Sequence, residues 1–262
     1  MRVIECDSPA ESAALVAERI LRALELKPDL VLGLATGSTP IGVYQRLIEA
    51  HRQRGVSFAA VRTFNLDEYV GLSANHPQSY RHFMARELFG ALDIASENVH
   101  FPPVEGADLP AACQAYEDRI RAVGGIDIQL LGIGSNGHIG FNEPTSSLAS
   151  RTRVKTLTDK TLADNARFYA EGEEQPELAT TMGIGTILEA KQIVLQALGS
   201  KKSRAVHAAV EGAISAFWPA SALQLHPNVS LYVDAGSASG LSMRPYYRRV
   251  RENEKRMARG TS

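Results

Sequence analysis

Short apolar runs alternate along this chain with longer stretches of helical spacing, and several of the runs break off into loops crowded with glycine and hydroxyl residues. Parallel strands must be joined by long crossovers, usually helices, so this alternation restricts the chain to an α/β protein: an open, mainly parallel sheet with helices on both faces. The expected strands are 3–6, 30–34, 61–66, 99–101, 126–133, 192–198 and 229–233. The run 126–133 is the most hydrophobic and is placed at the centre of the sheet. Ser8-Pro9-Ala10-Glu11 combines an N-cap, a proline in the first turn and a capping-box glutamate, and opens the first helix. Further helices are expected from the loop before Tyr44 to Gly55, over 79–88, 111–123 and 203–210, and around 162–169, with 146–158 left as a polar segment.

The 262 residues suit one α/β domain, followed by a basic tail over 242–262 that reads as an exposed helix with no partner. Because 28 Lys and Arg face 29 Asp and Glu, no overall positive charge is available to grip nucleic acid or an anionic membrane, and neither is expected as a partner. Cys6 and Cys113 make no disulfide framework, and no Cys/His spacing suits a metal. The first residues lack the apolar stretch of a signal peptide, and no segment approaches the ~20 apolar residues of a membrane span, so a cytosolic location is expected.

Ligands of open α/β sheets bind beyond the carboxyl ends of the strands, and three loops there carry chemistry. Thr36-Gly37-Ser38-Thr39 precedes a helix, where N–H groups, hydroxyls and the helix dipole suit a phosphate; the same residues also suit an ordinary helix cap. Asp67 and Glu68 end a strand side by side, so one of them faces a shared cleft; the choice between general base and helix-capping acid stays open on spacing alone. In the third loop Asn136, His138 and Glu143 have the makings of a proton relay, with a loop-bonding histidine as the plain alternative. No GxSxG elbow, GxxxxGK[ST] loop or HExxH pair occurs.

Five blocks in order, 32–40, 64–72, 137–144, 147–153 and Leu225-His226-Pro227, make the chain resemble the glucosamine-6-phosphate deaminases over nearly its whole length. The resemblance implies a modified Rossmann-like fold and conversion of glucosamine 6-phosphate and water to fructose 6-phosphate and ammonia, with no redox or metal cofactor. It implies that Asp67 is the base that moves a proton between C2 and C1, and that His138 assists ring opening with Glu143 and Asn136 as its partners. For the phosphate it implies Gly37, Ser38, Thr39, Arg167 and Lys202. The best-known members of that family have aspartate where Asn136 stands and others have asparagine, which orients an imidazole but cannot share a charge with it. Ser146, Arg153 and Lys155 match the residues through which some family members, as hexamers, bind the activator N-acetylglucosamine 6-phosphate, so a homo-oligomer is expected. The 6-phosphogluconolactonases share the fold and a similar histidine loop, but the Asn65–Tyr69 block and the Phe141–Pro144 extension favour the deaminases; a sensor without catalysis would need no base.

Overall fold

Seven strands run parallel in one sheet: β1 (Arg2–Cys6), β2 (Val31–Leu34), β3 (Arg62–Asn65), β5 (Val99–His100), β6 (Ile128–Leu131), β9 (Gln192–Ala197) and β10 (Val229–Asp234). The structure, a computed structural model, describes residues 1–158, 161–163 and 175–260. The strand order is β1-β10-β9-β6-β2-β3-β5, so β6 is the middle strand, as the hydrophobic run 126–133 implied.

Helices α1 (Pro9–Leu26), α2 (Ile41–Arg54) and α3 (Tyr80–Glu87) lie on one face, and α4 (Leu109–Ala122), α5 (Ile184–Leu188) and α6 (Ser203–Val210) on the other. Alternate residues of the strands feed the two cores. Leu32, Leu34, Ile128 and Leu130 meet Val16, Ile20 and Leu47, whereas Val31, Leu131 and Leu195 meet Ile120, Ile187 and Val206. Burying each such side chain contributes roughly 1.5–3 kcal/mol. The helix ends follow local rules: Ser8 accepts from the Glu11 N–H (3.1 Å), Asp108 accepts from the Ala111 N–H (2.9 Å), and Gly55 closes α2 in the left-handed region (φ 66°).

From β2 the chain builds outward through β3 and β5; it then crosses back to β6 and builds the other way through β9 and β10. The loops after β2 and β6 therefore part in opposite directions and leave a crevice between them. A second sheet, absent from the sequence reading, stands over this crevice: β4 (Asp67–Tyr69), β8 (Leu178–Thr181) and β7 (Arg153–Thr156), antiparallel in the order β4-β8-β7. Its strands have three or four residues, too few for an alternating pattern to stand out. Part of the segment expected as polar irregular chain, 146–158, is thus a strand. Of the helix expected around 162–169, only Leu162 and Ala163 lie within the described residues, and they are helical together with Thr161.

The tail also departs from expectation. It is a helix, α7 (Arg244–Gly260), but it has partners: Arg244 and Arg248 both pair with Glu5, Arg251 donates to the Glu5 carbonyl, and Arg2 pairs with Glu254 (2.6 Å). Glu211 accepts from the N–H groups of Ser242 (2.8 Å) and Met243 (2.9 Å) just before the helix begins. Its basic residues thus hold the edge strand β1. Among the described residues no helix is long and apolar enough to cross a membrane.

Candidate active site

The crevice holds a cavity of about 310 Å³, walled by the loops that follow β2, β3 and β6. Gly37 turns the first loop through the left-handed region (φ 95°), and no atom lies within 4 Å of where its side chain would stand, so its backbone is open to a ligand. The N-cap of α2 is Pro40, with no side-chain bond to the helix, and the Ser38 and Thr39 hydroxyls bond no described residue. An ordinary cap is therefore not what these hydroxyls provide. They line the cavity with Thr36 at a helix N-terminus, the arrangement an anion needs. Lys202, in the short 3-10 turn Ser200–Lys202, lines it too; Arg167 lies outside the described residues.

Asp67 and Glu68 separate as neighbours on an extended chain must. Glu68 turns away and accepts from the N–H groups of Tyr69 (2.9 Å), Tyr80 (2.9 Å) and Arg81 (2.8 Å), fixing the start of α3 beside the Ser79 cap. Asp67 turns into the cavity, only 6% exposed. Burial first, and then the charge of Glu68, push its carboxyl up to about 8, against the opposing pull of the Phe141 N–H. The acidic pair thus divides: Glu68 is the helix-capping acid, and Asp67 alone faces the cavity. Tyr80, the first residue of α3, forms part of the cavity wall and stacks on Phe141 with ring centres 5.9 Å apart.

Around Glu143 the third loop closes on itself. Glu143 Oε2 accepts from Asn136 Nδ2 (2.7 Å), and Oε1 lies 3.4 Å from His138 Nδ1. That second approach is a charge contact rather than a directed hydrogen bond. Burial would raise the Glu143 carboxyl, but the imidazole, the Thr161 hydroxyl and the Asn136 amide hold it at about 2. Asn136 does not bond the imidazole ring: its amide nitrogen holds Glu143, and its oxygen accepts the His138 backbone N–H (3.3 Å). The ring instead lies against Gly134, where a Cβ would come within 2.4–2.5 Å of three of its atoms.

Sequence reasoning did not single out Tyr80, Gly134 or Thr161, none of which stands in a recognisable motif. Arg153, half-buried on β7, donates to Asn142 Oδ1 (3.0 Å), next to Glu143; Lys155 is two residues further along the same strand, and the Ser146 hydroxyl is buried without a described partner. Among the described residues no cluster of three ligand-type side chains could hold a metal.

An open parallel sheet with an anion-suited loop, a buried carboxyl and an imidazole–carboxylate pair at its switch point defines a class: α/β proteins that handle small anionic substrates. The chain belongs to the glucosamine-6-phosphate isomerase/6-phosphogluconolactonase family, whose profile matches residues 7–231. It is 57% identical over 260 residues to a glucosamine-6-phosphate deaminase of Shewanella loihica, covering 99% of this chain and 97% of that one. A deaminase of the same name from Hahella chejuensis is also 57% identical, with 98% of each chain covered. A solved monomeric glucosamine-6-phosphate deaminase superposes with a TM-score of 0.88 at 44% identity, over 92% of this chain and 100% of that one.

Proposed function

We propose that this protein converts glucosamine 6-phosphate and water to fructose 6-phosphate and ammonia, an isomerising deamination that joins amino sugar breakdown to carbohydrate metabolism. The observation that carries the reading is Asp67, a carboxyl buried in the same cavity as the hydroxyl loop and His138. Lactone hydrolysis would have no use for a second, buried acid; a shift of a proton between C2 and C1 requires one.

The cavity divides the work. Gly37, Ser38, Thr39 and Lys202, with Arg167, bind the phosphate, whose remote interactions fix the reacting carbons against Asp67. His138, with Glu143 held ionised behind it, moves the proton between ring and anomeric oxygens that opening the sugar requires. Asp67, once ionised, takes the C2 proton to leave an enolamine and then returns a proton to C1, which makes the C2 imine; water hydrolyses that imine to the ketose and ammonia. No protein cofactor enters this scheme.

An assay coupled to ammonia release tests the reading: the wild-type protein turns over glucosamine 6-phosphate, and Asp67→Asn loses about 10³-fold or more in kcat while still binding sugar phosphate. Undiminished turnover in that variant would defeat the assignment. We further read the whole chain as one cytoplasmic catalytic domain that assembles as a homo-oligomer, up to a hexamer, and Ser146, Arg153 and Lys155 as its site for N-acetylglucosamine 6-phosphate. The link from Arg153 to Asn142, beside the relay, supports that site. A hyperbolic rate curve indifferent to the acetylated sugar phosphate, or a monomer by sedimentation, would remove the corresponding part.

A further inference from the structure

Glu143 has a third neighbour. The Thr161 hydroxyl lies 2.5 Å from Oε1, the carboxylate oxygen that also faces His138, and Thr161 itself is 8% exposed in the wall of the same cavity. The direction of this bond follows from chemistry. An ionised carboxylate only accepts, so the single hydroxyl hydrogen of Thr161 is committed to Glu143. The Thr158 hydroxyl, 3.1 Å from that of Thr161, must then be the donor to it, while accepting the Thr161 N–H at 3.3 Å. A chain of oriented hydrogen bonds runs from Thr158 through Thr161 to Glu143, and the imidazole stands at its end.

We propose that Thr161 is a positioning residue for the imidazole–carboxylate pair: its hydroxyl fixes the plane of Glu143 and shares the oxygen that faces His138. Asn136 alone leaves the carboxylate free to rotate about its Oε2 bond, because the contact with His138 is not a directed hydrogen bond. With Thr161 on Oε1 the carboxylate is held at both oxygens, and the imidazole meets a charge of fixed place and orientation. Such a residue touches catalysis only through Glu143.

The inference rests on the deaminase reading for its kinetic test, and a second measurement frees it from that dependence. Thr161→Val, close in shape to the native side chain, is expected to lower kcat about tenfold with KM changed less than about twofold. Thr161→Ser, which keeps the hydroxyl, restores most of the loss. In a Glu143→Gln background the valine substitution adds nothing further, because its route of action is already cut. The wild-type rate in the same assay reports separately on the deaminase reading. Independently of any substrate, the Glu143 carboxyl, assigned by its loss in Glu143→Gln, is followed by ¹³C NMR; its titration moves to higher pH in Thr161→Val and stays in place in Thr161→Ser. An unmoved titration overturns the proposal, as does wild-type kcat in Thr161→Val or an equal loss in both backgrounds.

Discussion

Asp67 is the residue at which chemistry and stability pull apart. Its carboxyl is raised to about 8 in the folded protein, against about 4 in an unfolded chain, so the native state holds this proton more tightly. The stability it contributes is complete below the ordinary value and is lost as pH rises through about 8. Asparagine never ionises and escapes that loss. Asp67→Asn is therefore expected to melt about 2–8 °C above the wild type near pH 9 and no higher near pH 4, as thermal denaturation at both pH values will check. The same protonation has a kinetic side: kcat/KM for the free enzyme rises with pH up to about 8, because only the ionised carboxyl is a base. Gly134 makes a second residue-scale case. A methyl group there would overlap the His138 ring, so Gly134→Ala displaces the imidazole and costs about 100-fold in kcat, with the melting temperature little changed. The acidic pair and the histidine were legible in the sequence as chemistry after strands. Spacing alone did not divide their labour, and it was the family resemblance that picked Asp67, since Glu68 finds its three N–H donors only when α3 docks; nothing local announces that Gly134 makes room for a ring four residues away.

At the scale of elements, the first helix and the strands of the main sheet were readable because they obey local rules: Ser8 caps α1, and β6 is rich in buried aliphatic residues, whereas the start of α4 at Leu109, behind the Asp108 cap, was placed two residues late. The three-stranded sheet was not, because β4, β7 and β8 owe their form to each other rather than to their own composition. That sheet matters to function: β4 holds Asp67 opposite Thr181, and Thr181 Oγ1 accepts the Phe141 N–H that also opposes the rise of Asp67. Helix α3 is joined to the site through Glu68. Glu68→Ala strips the acceptor from three backbone donors, and urea unfolding is expected to show a loss of about 2 kcal/mol. Because Tyr80 shifts with the helix, kcat/KM falls as well, and Glu68→Gln, which keeps an acceptor oxygen, recovers part of both.

Across the whole molecule, balanced charge conceals a local pairing: arginines of the basic last helix lie on Glu5 of the first strand and Glu11 of the first helix. Glu5 is held at about 2, chiefly by hydrogen bonding to Arg248 and then, against burial, by Arg244; at Glu211, also at about 2, burial is outweighed by Ser242, Met243 and Tyr247. Both carboxyls are lowered, so this contribution is complete above the ordinary carboxylate range and is lost as pH falls towards about 2. At neutral pH the combined change Glu5→Gln with Glu211→Gln should free α7, seen as several-fold faster tryptic cleavage among its arginines; unchanged cleavage would show that apolar packing alone holds the helix.

The place of β1 also sets an order of events during synthesis. Among the described elements β1 pairs only with β10, made long after it, and is then covered by α7, which follows β10. Strand β1 has no place in the sheet until more than two hundred further residues have followed it. In the meantime β2, β3 and β6 can assemble, and with them the crevice that carries the site. A nascent chain arrested before Val229 would therefore hold every residue of the site with β1 still unattached, and synthesis of β10 and α7 is what ties that strand into the sheet.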